Sequence, residues 1–427
     1  MNILLVEPHL GVKRTWLYRS VYYRSLALEQ IAALTPEHHS VEIVEEKYNA
    51  INVNQAYDLV GISCFTCNAL RGYQIADEFR KRNIPVVLGG YHPSALPQEA
   101  KQHADAVVIG EAELVWHHVL HDVEQGKIKP FYTSKTFVDP KEIPAAKHIE
   151  GNSPFTSLQA SRGCPFGCKF CAMQNIEGKQ FRPRPIDNII AEIQSIKGKN
   201  LFFVDSSLTL NPRFSKSLFQ EMKGLHKNFE CFGNMNTLAK DDELLSLAST
   251  AGCVRWLVGI ESISQQILDS MNKRSNDVKK YKTAIKKIRD HGMLVTGLFM
   301  FGFDTDTPQT FDNTLQAMYD MDLDSASFSV LTPYPGTQLF TEMDAQGRIN
   351  TKEWSQYTEG NVVYTPKNMS REELLQGIRQ AAMQYYSFSG SMKRCLSSKN
   401  LSFPLFIKKA SRNFVYTKLF YKELFDL

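Results

Sequence analysis

The sequence has no apolar run near the roughly 20 residues that a membrane-spanning helix needs. The longest, residues 293–303, stops at Asp304. Excess charge of one sign is also lacking. Lys plus Arg, 49, minus Asp plus Glu, 45, leaves +4, too little over this length to mark a nucleic-acid binder by its field. Neither G-x-G-x-x-G nor G-x-x-x-x-G-K-[ST] occurs, so the two best-known glycine-loop signals for nucleotide phosphates are missing. The first apolar stretch has no basic n-region and meets Glu7 and Pro8 at once, so it reads as a β-strand rather than an export signal. Eight cysteines without such a signal point to reduced thiols, some of them metal ligands, in a cytoplasmic protein. With 43% hydrophobic and 22% charged residues, the chain is neither disordered nor collagen-like.

What the sequence does have is alternation. Short apolar runs at 2–6, 41–45, 59–63, 86–88 and 106–109 alternate with amphipathic stretches at 26–34, 70–82 and 113–124. That order predicts an α/β domain over residues 1–130, a Rossmann-like (flavodoxin-like) parallel sheet of five strands. Ligands of such sheets lie beyond the carboxyl ends of the strands, which here read Ser63-Cys64, Gly89-Gly90 and Gly110-Glu111. Residues 131–153, with Pro140 and Pro144 and no clear period, read as a linker.

A second alternating block covers 154–340. Strands are predicted at 155–161, 201–204, 230–233, 254–258, 294–299 and 326–330, with helices near 186–196, 214–225, 242–251, 278–291 and 308–321. These units predict a partial (βα)6 TIM-like barrel, whose chemistry would gather at the strands' carboxyl ends. Residues 341–427 form a small C-terminal extension with a helix near 371–386. From Ser391 onward eight basic residues face two acidic ones, interleaved with aromatics such as Phe403, Tyr416 and Phe425. That tail reads as a helix packed on the domain, a peripheral membrane contact or a substrate lid.

The sharpest local feature is Cys164-Pro-Phe-Gly-Cys168-Lys-Phe-Cys171, immediately after the first strand of the second block. Three soft thiolates within one loop favour zinc or an iron–sulfur centre. No fourth Cys or His lies at zinc-finger spacing, whereas a cubane held by three cysteines leaves one iron open to a substrate. This C-x3-C-x2-C spacing, with Phe170 before the last cysteine, resembles the radical S-adenosylmethionine (SAM) superfamily. The resemblance implies a 4Fe-4S cluster on Cys164, Cys168 and Cys171. It further implies SAM bound at the open iron and cleaved to a 5′-deoxyadenosyl radical, with an electron donor such as flavodoxin or ferredoxin. It places Phe170, Asp205, Ser206, Ser207, Asn236, Glu261 and Gly302 around SAM.

The first domain, with Val86-Val-Leu-Gly-Gly90 and Ala106-Val-Val-Ile-Gly-Glu111, resembles the cobalamin-binding domain of class B radical SAM enzymes. Ser63, Cys64, Gly89, Gly90, Gly110 and Glu111 are the implied cobalamin contacts. The D-x-H-x-x-G signature of cobalt-ligating histidines is absent, and His9 and His92 lack that setting. Two readings stay open: cobalamin bound without a histidine ligand, or a pocket that has lost it. The implied activity is methylation of an unactivated carbon of a small-molecule or lipid-like substrate, against a cobalamin-free rearrangement or cyclisation. A structural metal scaffold and an RNA-binding protein are the rivals from other classes. Cys64 and Cys67 form a CxxC read as structural, and Cys231, Cys253 and Cys395 read as small buried apolar residues.

Overall fold

Aliphatic strands with almost no accessible surface, such as residues 3–6, 59–62 and 86–88, must be covered on both faces. The structure, a computed structural model, describes residues 1–9, 23–149, 151 and 153–396. Its first sheet holds β1 (Asn2–Glu7), β2 (Ser40–Glu45), β3 (Leu59–Ser63), β4 (Val86–Gly89), β5 (Ala106–Ile109) and β6 (Phe131–Thr133). All neighbours are parallel, in the order β2-β1-β3-β4-β5-β6, which is the flavodoxin-like order with one strand added. Helices Leu26–Leu34 and Trp116–Glu124 cover one face through Leu28, Trp116 and Leu120. Helices Ala69–Arg80 and Pro97–His103 cover the other through Tyr73, Phe79 and Ala100.

Beyond the five strands read from the sequence there is a sixth, at the start of the segment read as linker. Three residues are too short to show a period, and only pairing with β5 makes Phe131–Thr133 a strand.

The second sheet contains β7 (Thr156–Leu158), β10 (Asn200–Phe203), β11 (Asn228–Gly233), β12 (Cys253–Glu261), β13 (Leu294–Phe301) and β14 (Ser325–Val330). Its strands are parallel and stand in sequence order as an open six-stranded array, the partial barrel expected. Trp256, Phe203, Phe219 and Phe229 fill its core. The run 155–161, read as one strand, is split. After β7 the carboxylate of Asp205 accepts from the Ala160 amide (3.0 Å), the Ser161 amide (2.5 Å) and the Ser161 hydroxyl (2.6 Å). The chain thereby leaves the sheet, and β8 (Ser161–Arg162) pairs antiparallel with β9 (Arg182–Pro183).

After β14 a segment around residues 349–364 runs back over the barrel mouth to the first domain, where the Trp354 indole donates to Glu99 at 2.8 Å. Helix Arg371–Tyr385 starts at a capping box of Ser370 and Glu373. The Arg394 guanidinium, at the start of the basic aromatic tail, sits 4.0 Å over the Tyr385 ring. The rest of that tail, including Phe403, Tyr416 and Phe425, lies outside the described residues, as does the side chain of Cys395.

A histidine joins the domains. His148 sits between two buried carboxylates, 2.9 Å from Glu29 on helix Leu26–Leu34 and 2.9 Å from Glu192 on helix Ile186–Ser195. Burial lowers its pKa, but carboxylates on both ring nitrogens outweigh that and hold it up at about 9. A folded-state pKa above the ordinary value of 6.5 gives stability that is fully present below that value and lost as pH rises through about 9. We therefore expect His148→Gln to lower stability by on the order of 2 kcal/mol near pH 6, with the difference shrinking towards about pH 10. Thermal unfolding of both proteins across that range checks this; a pH-independent difference would show that the native imidazole is neutral.

Candidate active site between two sheets

The loop from Cys164 to Cys171 is held at its start and in its middle by hydrogen bonds to its backbone. The Cys164 amide donates to the Gly178 carbonyl and the Lys169 amide to the Met271 carbonyl, while the Asn272 side chain donates to the Gly167 carbonyl at 2.7 Å. All three thiols are free and half-buried. Burial pushes them up, Cys168 to about 11; Cys168 and Cys171 also feel neighbouring thiolates as like charges, and Cys164 feels the Glu177 carboxylate. Lys273 opposes this from one side. Close thiolates in a partly dry loop need a positive core between them, and the donor set fits an iron–sulfur cluster.

Cys171 and its neighbour Phe170 open onto a cavity of about 770 Å³ that also reaches the carboxyl ends of β3, β4 and β5. Ser63, Cys64, Gly89, Gly90, Gly110 and Glu111 line that far wall. Gly90, at φ +98°, presses on the Cys64 backbone, where a Cβ would come within 2.7 Å of its carbonyl oxygen. Gly110, at φ +83°, faces open space. Such a backbone-lined shelf suits a flat ligand approaching closely. No histidine lines the cavity among the described residues. His92 is fully buried, with Nε2 3.2 Å from Glu99 and its ring against Trp354, so cobalamin in this cavity would have no histidine ligand.

The other residues singled out from the sequence divide into two groups. Glu261 lines the cavity and binds Lys273 Nζ at 2.7 Å. It is held at φ +61°, unusual for a glutamate at a strand end. Asp205, Ser206, Ser207, Asn236 and Gly302 do not line the cavity. Asp205 is spent on the β7–β8 turn, and Ser207 bonds Thr209. Gly302, at φ +103°, is packed under Tyr364, whose hydroxyl donates to its carbonyl at 2.6 Å. Ser206 Oγ and Asn236 Oδ1 are buried without a hydrogen-bond partner, at the ends of β10 and β11. Unpaired polar atoms there fit a small polar ligand such as SAM. Glu111 lines the cavity, but its oxygens are taken by Arg162, Arg182 and the Val138 amide.

Sequence reasoning missed Lys273, the cavity-facing Glu359 and Tyr334, and the cluster of Arg162 with Glu113 and Glu177. Lys273 lies in an ordinary-looking M-N-K-R stretch, and only the fold places it between the thiols and Glu261.

Residues 158–318 match the Radical SAM superfamily and residues 24–120 the B12 binding domain. The chain belongs to the cobalamin-dependent radical SAM methylases, and its cofactors are a 4Fe-4S cluster, SAM and cobalamin. Bacteriochlorophyllide d C-12(1)-methyltransferase of Chlorobaculum tepidum is 31% identical over 398 residues, covering 90% of this chain and 86% of that one. Bacteriochlorophyllide d C-8(2)-methyltransferase of the same organism is 35% identical over 362 residues, 79% of this chain and 80% of that one. The fold is shared with the radical SAM methyltransferase TsrM of Kitasatospora setae, solved with cobalamin and a [4Fe-4S] cluster, at TM-score 0.75 and 15% identity over 98% of each chain. These relatives decide the open readings for a C-methyltransferase that uses cobalamin, over a rearrangement, a scaffold or an RNA binder. The described residues contain no helix long and apolar enough to cross a membrane.

Removing Lys273 should leave Glu261 as an uncompensated buried carboxylate. We expect Lys273→Met to cost about 3–5 kcal/mol, and Lys273→Met with Glu261→Leu to recover most of it. Chemical denaturation of the apoprotein reads this; equal losses in the single and double variants would show that the pair is not coupled.

Proposed function

We propose that this enzyme methylates a saturated peripheral carbon of a tetrapyrrole of the bacteriochlorophyllide class. One observation carries the methyl-transfer geometry: a single cavity joins the cysteine loop to the glycine-bearing ends of the first sheet. The substrate class rests on the two relatives, both named for bacteriochlorophyllide d.

Bound together, the three cofactors supply a means of taking a hydrogen atom from an unactivated carbon and a methyl group to replace it. The chain's own part is positional. Cys164, Cys168 and Cys171 hold the cluster. Lys273 is fixed by Glu261 with its ammonium 5.7 Å from the Phe170 ring centre, a cation placed to meet the SAM carboxylate. Ser206 and Asn236 supply polar atoms from the strand ends, and Asp205 sets the turn that aims the cysteine loop. Ser63, Cys64, Gly89, Gly90 and Gly110 form the corrin shelf, with Glu111 fixing its edge. Leu298, Met300 and Val330 keep water from the reacting carbon.

The domain limits read from the sequence, with the cobalamin domain first and the barrel from residue 154, suit this division of work. The enzyme acts in the cytoplasm with a donor such as flavodoxin or ferredoxin, and its basic aromatic tail touches membrane where apolar tetrapyrroles collect.

Anaerobically reconstituted enzyme, supplied with hydroxocobalamin, a reductant, deuteromethyl-SAM and a magnesium chlorin, should yield a chlorin carrying the labelled methyl group, read by mass spectrometry. Cys168→Ala should abolish the product and cluster iron while leaving the circular dichroism spectrum unchanged. Label in no tetrapyrrole, from an enzyme that still consumes SAM, would overturn the substrate class.

A further inference from the structure

Glu359 has no task in the scheme above. It lies on the segment that crosses the barrel mouth, and its backbone is tied to the end of β14: the Val330 amide donates to the Glu359 carbonyl at 2.7 Å. The Thr332 hydroxyl holds the preceding Thr358 carbonyl. Its side chain reaches solvent, yet it sits deep in the molecule, because the solvent it meets is the cavity it lines. One oxygen accepts from the Ser329 hydroxyl at 3.0 Å; the other has no hydrogen-bond partner among the described residues. No ion pair among the described residues includes Glu359. Burial and the Glu261 carboxylate both work against its charge.

Solvent in the cavity can carry this charge while the site is empty, but a ligand that displaces that solvent must bring something electropositive to the carboxylate. Glu261 already has a lysine, Glu111 and Glu113 have arginines, and Glu177 accepts at both oxygens, from the Gln159 side chain and the Gly163 amide. Among the described residues, Glu359 is the carboxylate of the cavity with neither a cation nor a hydrogen bond to its second oxygen. Its place on the sheet also matters. The cysteine loop follows β7 and β8, at one edge of the second sheet, whereas Glu359 hangs from β14 at the opposite edge. Ser327 and Ser329, two apart on β14, share the strand's cavity face and make that edge polar, while Leu298 and Met300 on β13 make the next strand apolar. The wall at β14 is therefore built for a ligand that is largely apolar but carries one electropositive point.

We infer that Glu359 is the specificity-determining residue that meets the electropositive centre of the tetrapyrrole, its magnesium ion, directly or through one bound water. The inference rests on the tetrapyrrole reading. Magnesium takes oxygen ligands and prefers carboxylate or water to any other group in this wall. The demetallated ring offers only pyrrole N–H groups at its centre, which a carboxylate also accepts but more weakly. Shared chemistry thus predicts binding of both rings and a preference for the metal.

The test is an anaerobic absorbance titration of the reconstituted enzyme with a magnesium chlorin and with the same chlorin lacking magnesium. Wild type should prefer the magnesium ring by roughly tenfold or more, the scale of one contact to a charged group. Glu359→Gln, which keeps shape and the Ser329 contact, and Glu359→Ala should bring the ratio to about one, with free-base affinity falling only about two- to fivefold, and that retained binding doubles as proof that the pocket is folded. In turnover the loss should fall on KM for the magnesium substrate rather than on kcat. A preference that survives in both variants, or that wild type lacks while binding both rings, overturns the role of Glu359 and leaves the tetrapyrrole reading standing. Wild type that binds neither ring overturns both.

Discussion

The site depends on a buried charge cluster that fixes the carboxyl ends of two sheets against each other. Arg162, on the short strand just before the cysteine loop, bonds Glu111 at 3.1 Å and Glu113 at 2.5 Å, both at the end of β5. Arg182, on the strand paired with it, bonds Glu111 at 2.6 Å and the Val138 carbonyl at 2.7 Å. Glu177 adds a bond to the Gly163 amide at 3.1 Å. An apolar interface could slide by a side chain's width at little cost, but paired buried charges cannot separate without each losing its partner. The cluster therefore sets the span between the cysteine loop and the glycine-bearing ends of the first sheet, across which cofactors and substrate would have to be aligned.

The cavity's other charges obey the same constraint. Glu261 is held in a left-handed conformation and clamped by Lys273, so one cation serves the thiols, the strand end and the ring of Phe170. Asp205 shows how far such control extends back into the fold. Its three bonds to residues 160 and 161 end β7 after three residues and turn the chain into the loop that carries the cysteines. A carboxylate bonded to the chain itself thus decides where the cysteines lie.

Much of this was legible in the sequence. Strands buried on both faces are continuous apolar runs, so β3 and β5 are found to the residue and the two-block architecture follows from their alternation. The cysteine loop is a local motif and carries its chemistry in its spacing. Polar groups that act across long sequence separations were not legible. Lys273 meets cysteines about a hundred residues earlier in the chain, and Glu359 faces β14 from a loop with no periodic signal. Asp205 was placed at SAM by the family resemblance, and only coordinates show its carboxylate turned to residues 160 and 161. The sixth strand of the first sheet was missed because three residues carry no alternation.

Motif and cavity also divide the information about function unevenly. The cysteine spacing is sufficient for the class because the cluster's geometry allows few alternatives, and the glycine-bearing shelf needs only backbone. Neither says anything about the substrate. That information lies on the wall where β14 and the segment after it meet, and it is written in which polar groups lack a partner. Among the described residues the cavity's other carboxylates have a cation or a hydrogen bond at each oxygen, so one left with neither points to the molecule that has yet to bind.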